Sequence, residues 1–342
     1  MMTLDELTTA LAARANDYER EVQWPEQSLA DFADAGGWRW SIPQSYGGDG
    51  HSVAQRLSAY AALARGDMST ALFVTQHDGA ADLMTRSSNE ALKDEWLPRF
   101  ARGEALTTIG YSQLTTSRQG GAPAMAASRN QDGFVLEGVM PWVTGAPYVT
   151  NVACGAALED GTQLLALVPM DRAGVEVVDT EPLAALNSTY TCEVLCHQVQ
   201  VTEAELIAGP VEHVLRQRST PRLLLVSATG TGLARAMVDE VRRLAPSAKG
   251  LETIHRTTEE LVVRLDTLAV RETLEQIEID TFRAEVNNWL VRLAGFLMTN
   301  AKGTGFRRDA NAQRLATEAL FFCVWSASGT VRDGTVEHLL AR

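Results

Sequence analysis

Two short stretches of the sequence contain residue types that can hold a flat, polar cofactor. The first, residues 103–121, is rich in hydroxyl residues and glycines, which offer hydrogen-bond donors and room for a bound molecule. The second is Pro141-Trp142-Val143-Thr144-Gly145, where an indole and a hydroxyl two residues apart can stack on and hydrogen-bond to a heteroaromatic ring. Taken alone, the first stretch is also consistent with a polar loop.

The histidines and serines do not form the patterns of known hydrolases. His51, His77, His213, His255 and His338 form no His-Glu-x-x-His pair, and the sequence contains no Gly-x-Ser-x-Gly elbow. Hydrolysis by a metal or by a serine triad is therefore unsupported, and no metal site is predicted.

Two other motifs favour a structural interpretation. Cys192 and Cys196 share one face of a predicted strand and His197 points to the other, so the cysteines are interpreted as core thiols. Residues 223–235 resemble a dinucleotide-binding turn, but Arg235 stands at the third glycine position and no βαβ unit surrounds it. We predict a helix there, whose small residues let a neighbour pack closely.

The charge balance narrows the class of partner. Thirty Lys and Arg against 43 Asp and Glu give a formal net charge of −13, which disfavours unaided binding to nucleic acid or to an anionic membrane. Four cysteines fit no disulfide framework, the N-terminus shows no secretion signal, and no apolar run reaches the roughly 18 residues of a membrane span. We therefore expect a cytoplasmic protein whose partners are small molecules and proteins.

Three successive blocks must position the candidate residues. Residues 1–106 are predicted to form an N-terminal helical domain, because apolar residues recur there every three or four positions. In residues 107–208 the period shortens towards two, which predicts a small middle β domain of barrel or sandwich type. The helical period returns in residues 209–342, predicted to form a C-terminal helical bundle. The fold class is thus mainly α with a small β domain.

The same periodicity places individual elements within the blocks. Helical patterns cover 29–33, 53–63, 211–244, 251–293 and 310–322. Strand patterns cover 133–138, 163–168 and 192–201. Residues 42–50, with one proline and three glycines, are predicted to turn tightly.

These stretches together resemble the acyl-CoA dehydrogenase superfamily of flavoproteins. The loop at 112–118 followed by Trp142 and Thr144 is similar to that family's Thr-Glu-Pro-x-x-Gly-Ser-Asp loop and Lys-x-Trp-Ile-Thr segment. Further matches follow in order over nearly the whole chain, at residues 33–48, 66–72, 96–104, 134–138 and 232–240.

The resemblance implies the acyl-CoA dehydrogenase fold, with FAD between the β block and the C-terminal helices. By position, Ser112 replaces the loop threonine that bonds the pyrimidine edge of the flavin. Trp142 would cover the ring and Thr144 would reach its N5 side. Backbone amides around Tyr111 and Gln113 would hold O2 and N1.

The sequence departs from the family where the family holds the rest of the cofactor. Ser117 and Arg118 stand in place of Gly-Ser, and either could hold a phosphate oxygen. Residues 245–249 replace an Arg-x-x-Phe-Gly motif that contacts the FAD of a neighbouring subunit, and residues 321–325 replace a Gln-x-x-Gly-Gly loop. The contacts to the pyrophosphate and the adenine are therefore expected to differ.

No catalytic base is identified. The family's usual glutamate lies in a Tyr-Glu-Gly-Thr segment beyond the helix that residues 337–342 are expected to begin, so the chain is expected to stop short of it. Some members place the base where this sequence has Pro221 and Arg222, and neither can take a proton from a carbon acid. The base could come from Glu104 or from a partner chain. Arg222 could instead hold the CoA chain or its phosphates.

Three functions are consistent with the resemblance. The first is an FAD-dependent oxidoreductase that acts on the CH–CH group of an acyl-CoA thioester. The second is a non-catalytic or half-site subunit of a hetero-oligomeric acyl-CoA dehydrogenase. The third is a flavin-dependent monooxygenase of the same fold, which needs no carboxylate base. A homo- or hetero-oligomer, a dimer or tetramer, is expected in each case.

Overall fold

The computed structural model describes residues 2–114, 123–178, 181–216 and 220–341. The N-terminal block consists of helices α1 (Leu4–Glu21), α2 (Glu26–Asp34), α3 (Val53–Gly66), α4 (Met68–Thr85) and α5 (Glu90–Ala101). Side chains of Thr3, Ser52, Asp67 and Asn89 accept backbone N–H groups of the first turns of α1, α3, α4 and α5. These caps fix where the helices begin, because the first N–H groups of a helix have no partner inside it.

The middle block is a mixed sheet. Its strands are β1 (Thr107–Gly110), β2 (Met125–Arg129), β3 (Gly133–Val143), β4 (Asn151–Ala157), β5 (Gln163–Pro169), β6 (Val175–Val178), β7 (Cys192–Thr202) and β8 (Leu206–Val211). The strand order is β6-β7-β3-β2-β4-β5-β8, and β1 pairs in parallel with β4. β3 and β7 pair antiparallel along most of their length and form one long ribbon. Trp142 lies near the end of β3 in this ribbon, and Thr144 follows directly after β3.

The C-terminal block is again helical, with α6 (Thr220–Leu244), α7 (Leu251–Ala269), α8 (Gln276–Ala301), α9 (Asn311–Phe321) and α10 (Gly329–Leu340). In the part of the chain that the structure describes, no helix is long and apolar enough to cross a membrane. The predicted architecture of two helical blocks around a small β block is confirmed. The domain division after residues 106 and 208 stays a prediction.

The buried apolar residues form three clusters. The largest joins the two helical blocks, since it contains residues of α1 to α4 together with residues of α6 to α9. A second lies within the sheet, and a third fills the space between the sheet and α4 and α5. The sheet is therefore packed against the N-terminal helices α4 and α5, whereas the largest core lies between the two helical blocks.

Three details of the predicted elements are wrong. The helical pattern from residue 211 belongs at first to β8, which ends at Val211. The expected helix over 251–293 is two helices, because α7 ends at Ala269 and α8 begins only at Gln276, where Glu275 caps it. Residues 337–342 do not begin a helix: α10 starts at Gly329, where the Ser328 hydroxyl accepts the N–H of Val331, and ends at Leu340.

Candidate functional site

Trp142 lies near the end of β3 with its indole turned away from the sheet's core. Met140 and Val143 are fully buried inside the sheet, whereas Trp142 between them is 51% exposed. In a regular strand Trp142 would face the same side as Met140. The register with β7 shifts between Met140 and Val143, and such a bulge redirects the side chains beside it. The indole is therefore available to a ligand.

Thr144 follows β3 directly and is 7% exposed. Its hydroxyl lies 3.1 Å from the hydroxyl of Thr191, which in turn lies 2.8 Å from that of Thr189. Thr189 donates to the carbonyl of Leu186 at 2.7 Å. Thr189 and Thr191 are not among the predicted site residues, although they belong to the hydroxyl-rich run Ser188-Thr189-Tyr190-Thr191 immediately before β7.

Tyr111, Ser112 and Gln113 come directly after β1. Ser112 and Gln113 lie in a 3₁₀ turn, Ser112–Leu114, which contacts both β3 and β4. The Gln113 amide nitrogen donates to the carbonyls of Gly110 at 3.1 Å and Gly155 at 2.7 Å. The amide oxygen of Gln113 is buried and has no hydrogen-bond partner among the described residues. A buried acceptor without a donor is costly, so this position is suited to a donor from a bound molecule.

Arg222 lies in the first turn of α6, and its side chain reaches Tyr111 and helix α4. Its Nη2 donates to the Tyr111 hydroxyl at 2.5 Å. Its guanidinium passes so close to Gly79 of α4 that a Cβ at that position would lie 2.3 Å from Nη1. Within the described ranges no carboxylate oxygen lies within 4 Å of the Arg222 nitrogens. The structure thus brings Arg222 and Tyr111 together and leaves the cation without an ion-pair partner there.

The α4 carboxylate that lies next to Gly79 in the sequence is hydrogen-bonded to residues other than Arg222. Asp78, next to Gly79, is almost fully buried and accepts hydrogen bonds from the Ser41 hydroxyl at 2.9 Å and the Tyr60 hydroxyl at 2.7 Å. Arg56 donates to the Tyr60 hydroxyl at 3.3 Å. Burial and the neighbouring Asp78 raise the pKa of Tyr60, which keeps its hydroxyl a donor. Asp78 is therefore a structural acceptor that holds α4 to α3 and the loop before it.

Glu104, the base suggested from the sequence, is poorly suited to that role. Its carboxylate is half exposed and accepts two hydrogen bonds from Arg102, at 2.6 and 2.8 Å. The Arg102 guanidinium lowers the pKa of Glu104, whereas a base that removes a proton from carbon needs a raised one. Two other predicted cofactor residues, Ser117 and Arg118, lie outside the described residues.

Comparison with known proteins supports the resemblance. Residues 3–104 match the family model "Acyl-CoA dehydrogenase, N-terminal domain". A probable acyl-CoA dehydrogenase, YngJ of Bacillus subtilis (strain 168), is 23% identical over 246 residues, which span 70% of this chain and 65% of that relative's length.

Two solved structures share the fold. Butyryl-CoA dehydrogenase from Megasphaera elsdenii superposes with a TM-score of 0.85 at 15% identity, over 99% of this chain and 97% of that one. Dibenzothiophene monooxygenase (TdsC) from Paenibacillus sp. A11-2 gives a TM-score of 0.78 at 17% identity, over 98% and 94% of the two chains. The matched N-terminal domain, the helix–sheet–helix architecture and the sequence relatives agree, and together they support the acyl-CoA dehydrogenase superfamily for this chain.

Proposed function

We propose that the protein is an FAD-dependent oxidoreductase that acts on the CH–CH group of an acyl-CoA thioester. The observation that carries the proposal is the outward-facing Trp142 beside the buried Thr144, at the end of the strand where the family resemblance sets the flavin ring. When bound, FAD would act as the two-electron acceptor of the oxidation.

The residues of the site fit a flavin. The indole of Trp142 offers an exposed face for stacking on the isoalloxazine, and the unpartnered amide oxygen of Gln113 is an acceptor for a ring N–H or a ribityl hydroxyl. Ser112 lies in the same turn as Gln113 and would bond the pyrimidine edge. Ser117 and Arg118 would hold phosphate oxygens, as the sequence resemblance implies.

Arg222 supports an anionic ligand on the substrate side. A guanidinium without a carboxylate partner among the described residues attracts phosphate or a thioester oxygen more strongly than one already paired. The bond to the Tyr111 hydroxyl orients it. We propose that Arg222 contacts the CoA portion of the substrate, while Tyr111 links this contact to the flavin-binding turn.

A flavin-dependent monooxygenase is the second candidate. The feature that favours it is the lack, in the described part of the chain, of a carboxylate beside Arg222 and Tyr111, since desaturation needs a base for the carbon-bound proton. The similarity in fold to a monooxygenase is consistent with this alternative. A half-site subunit completed by a homologue, in a homo- or hetero-oligomer, would explain the same absence.

Purified protein separates these functions. A yellow protein whose flavin absorbance is bleached anaerobically by an acyl-CoA supports the dehydrogenase. Oxygen uptake that depends on an NADH-driven flavin reductase would favour the monooxygenase, and flavin gained only with a co-expressed homologue would favour the half-site subunit. The Trp142→Ala variant should lose bound FAD and Trp142→Phe should retain part of it, while Trp96→Ala on α5 serves as the matched control. Unchanged FAD binding in Trp142→Ala would contradict the proposed position of the ring.

A further inference from the structure

Three threonine hydroxyls form a continuous chain that starts at Thr144, the residue proposed for the N5 side of the flavin. It runs from Thr144 to Thr191 at 3.1 Å, from Thr191 to Thr189 at 2.8 Å, and from Thr189 to the carbonyl oxygen of Leu186 at 2.7 Å. A threonine hydroxyl has one proton to donate and two lone pairs that accept. The direction of each bond in the chain can therefore be worked out from its fixed end.

The fixed end is the carbonyl of Leu186, which can only accept. Thr189 must place its one proton on that oxygen, since two oxygens 2.7 Å apart need a proton between them. Thr189 therefore accepts from Thr191, and Thr191 spends its proton on that bond. At the last contact Thr144 must be the donor, which directs its proton to Thr191 and leaves only lone pairs on its other side.

The backbone that carries the chain is held in place from several directions. Leu186 and Tyr190, on either side of Thr189, adopt left-handed conformations with φ of 66° and 45°. Glu19 at the end of α1 accepts the Asn187 amide at 2.8 Å, and Gly145 donates its N–H to the Thr189 carbonyl at 2.9 Å. Non-glycine residues stay in such conformations only where surrounding contacts enforce them, so the order of the hydroxyls is set by the fold.

We infer that Thr189 and Thr191 are positioning residues that make Thr144 a hydrogen-bond acceptor towards the N5 edge of the flavin. This inference rests on the proposed function. Oxidised flavin carries a lone pair at N5, whereas flavin that has taken up two electrons and a proton there carries an N5–H. A Thr144 hydroxyl that can only accept would bond the N5–H of the reduced ring and would have no proton for the lone pair of the oxidised ring. The threonine chain therefore favours the reduced flavin and raises the reduction potential of the bound flavin.

The test compares the flavin midpoint potential of the wild-type protein with that of Thr191→Val and Thr191→Ser. Valine removes the acceptor of the Thr144 proton, which is then free to bond oxidised N5. We expect the preference for reduced over oxidised flavin to fall about tenfold, which is about 30 mV for a two-electron couple. Serine retains the hydroxyl and should restore the wild-type potential. The separate affinities for oxidised and reduced FAD should change in opposite directions.

Two further variants complete the design. Thr189→Val interrupts the same chain one step further from Thr144 and should also lower the potential. It keeps the test possible if Thr191→Val does not fold. Thr267→Val, which removes a hydroxyl that donates to the Val263 carbonyl of its own helix α7, is the matched control and should leave the potential unchanged. Flavin bound with an unchanged or raised potential in both chain variants would overturn this inference alone. A wild-type protein that binds FAD in neither redox state would overturn it together with the proposed function.

Discussion

His77 of α4 carries a neutral imidazole that contacts β1 in the interior. Its Nδ1 accepts the backbone N–H of Thr107 at 3.3 Å, and the rings of Trp38 and Phe100 pack against it edge to face. The residue is fully buried, and burial lowers the pKa of His77 to about 4 because it disfavours the cation, although Asp78 opposes this. The unfolded chain therefore binds this proton at a higher pH than the folded one.

The free energy of unfolding should consequently depend on pH through His77. The lowered folded-state pKa contributes stability that is fully present above the unfolded pKa near 6.5, and this stability is lost as the pH falls towards 4. The loss should amount to roughly 3 kcal/mol, from about 1.4 kcal/mol for each pKa unit. Urea unfolding at several pH values measures it. The His77→Asn variant should lose less stability than wild type over this range, and a parallel pH dependence in the two proteins would contradict the assignment. His213→Asn, at an exposed position, is the control.

The cysteines lie where the sequence indicated. Cys192 and Cys196 are buried on one face of β7, so their interpretation as core thiols is confirmed, and Cys154 of β4 is buried in the same core cluster. Burial raises the pKa of Cys196 to about 12 and raises the pKa of Cys154 well above its ordinary value, which suppresses the reactive thiolate. The native protein should therefore react rapidly with at most one equivalent of a thiol reagent such as DTNB, at Cys323, and with four after unfolding. Cys323→Ser should abolish the native reaction; two or more fast native thiols would contradict the buried positions.

The residue types of the candidate site were readable from the sequence, but their geometry was not. The sequence predicts that Trp142 covers a cofactor ring, yet the outward direction of the indole depends on a bulge in the pairing of β3 with β7. The partner of Thr144 is 47 residues away along the chain. Strand periodicity reports which residues alternate within one strand, and it contains no information about register shifts against another strand.

At the scale of elements, α6 packs closely against its neighbour α3. The sequence interpretation of residues 223–235 as a helix with small residues for a close neighbour is confirmed. A Cβ at Gly232 would lie 2.0 Å from the carbonyl oxygen of Ala61 in α3, so the two backbones touch at this point. Arg65 of α3 also pairs with Asp239 of α6 at 2.7 Å. Long helices were predictable here because their period persists, whereas the break between α7 and α8 contains neither glycine nor proline and was missed.

The Gly232→Ala substitution should therefore destabilise the protein. The added methyl group meets backbone atoms that cannot move unless α3 and α6 separate, and overpacking of this kind costs about 1–3 kcal/mol or more. That outweighs the gain of about 1 kcal/mol from replacing glycine in a helix. Gly79→Ala on α4 is the matched variant, because its methyl group meets only the end of the flexible Arg222 side chain. Urea midpoints should fall for Gly232→Ala and stay level or rise for Gly79→Ala; the reverse order would show that the α3–α6 contact is looser than described.

At the scale of the whole molecule, the three blocks of the sequence do not correspond to three separate cores. The two helical blocks lie at opposite ends of the described sequence, yet they share the largest core cluster, and the sheet has a cluster of its own. The sequence predicted three blocks because periodicity is local. Which blocks share a core depends on contacts between distant residues, such as α3 with α6, and local patterns do not report these.

The shared core predicts that the helical blocks open together. Leu63 of α3 is fully buried in that core, and Leu63→Ala should lower the free energy of opening by about 2–5 kcal/mol. Because cooperative units follow shared packing, hydrogen exchange measured by mass spectrometry should show the loss of protection in α3 and α6 alike, with a smaller effect in β3 and β7. Leu136→Ala, fully buried inside the sheet, is the matched control and should reverse the pattern. Faster exchange confined to residues 1–106 in Leu63→Ala would mean that the N-terminal helices form an independent unit, because a core that both blocks complete cannot lose a side chain from one of them without weakening the other.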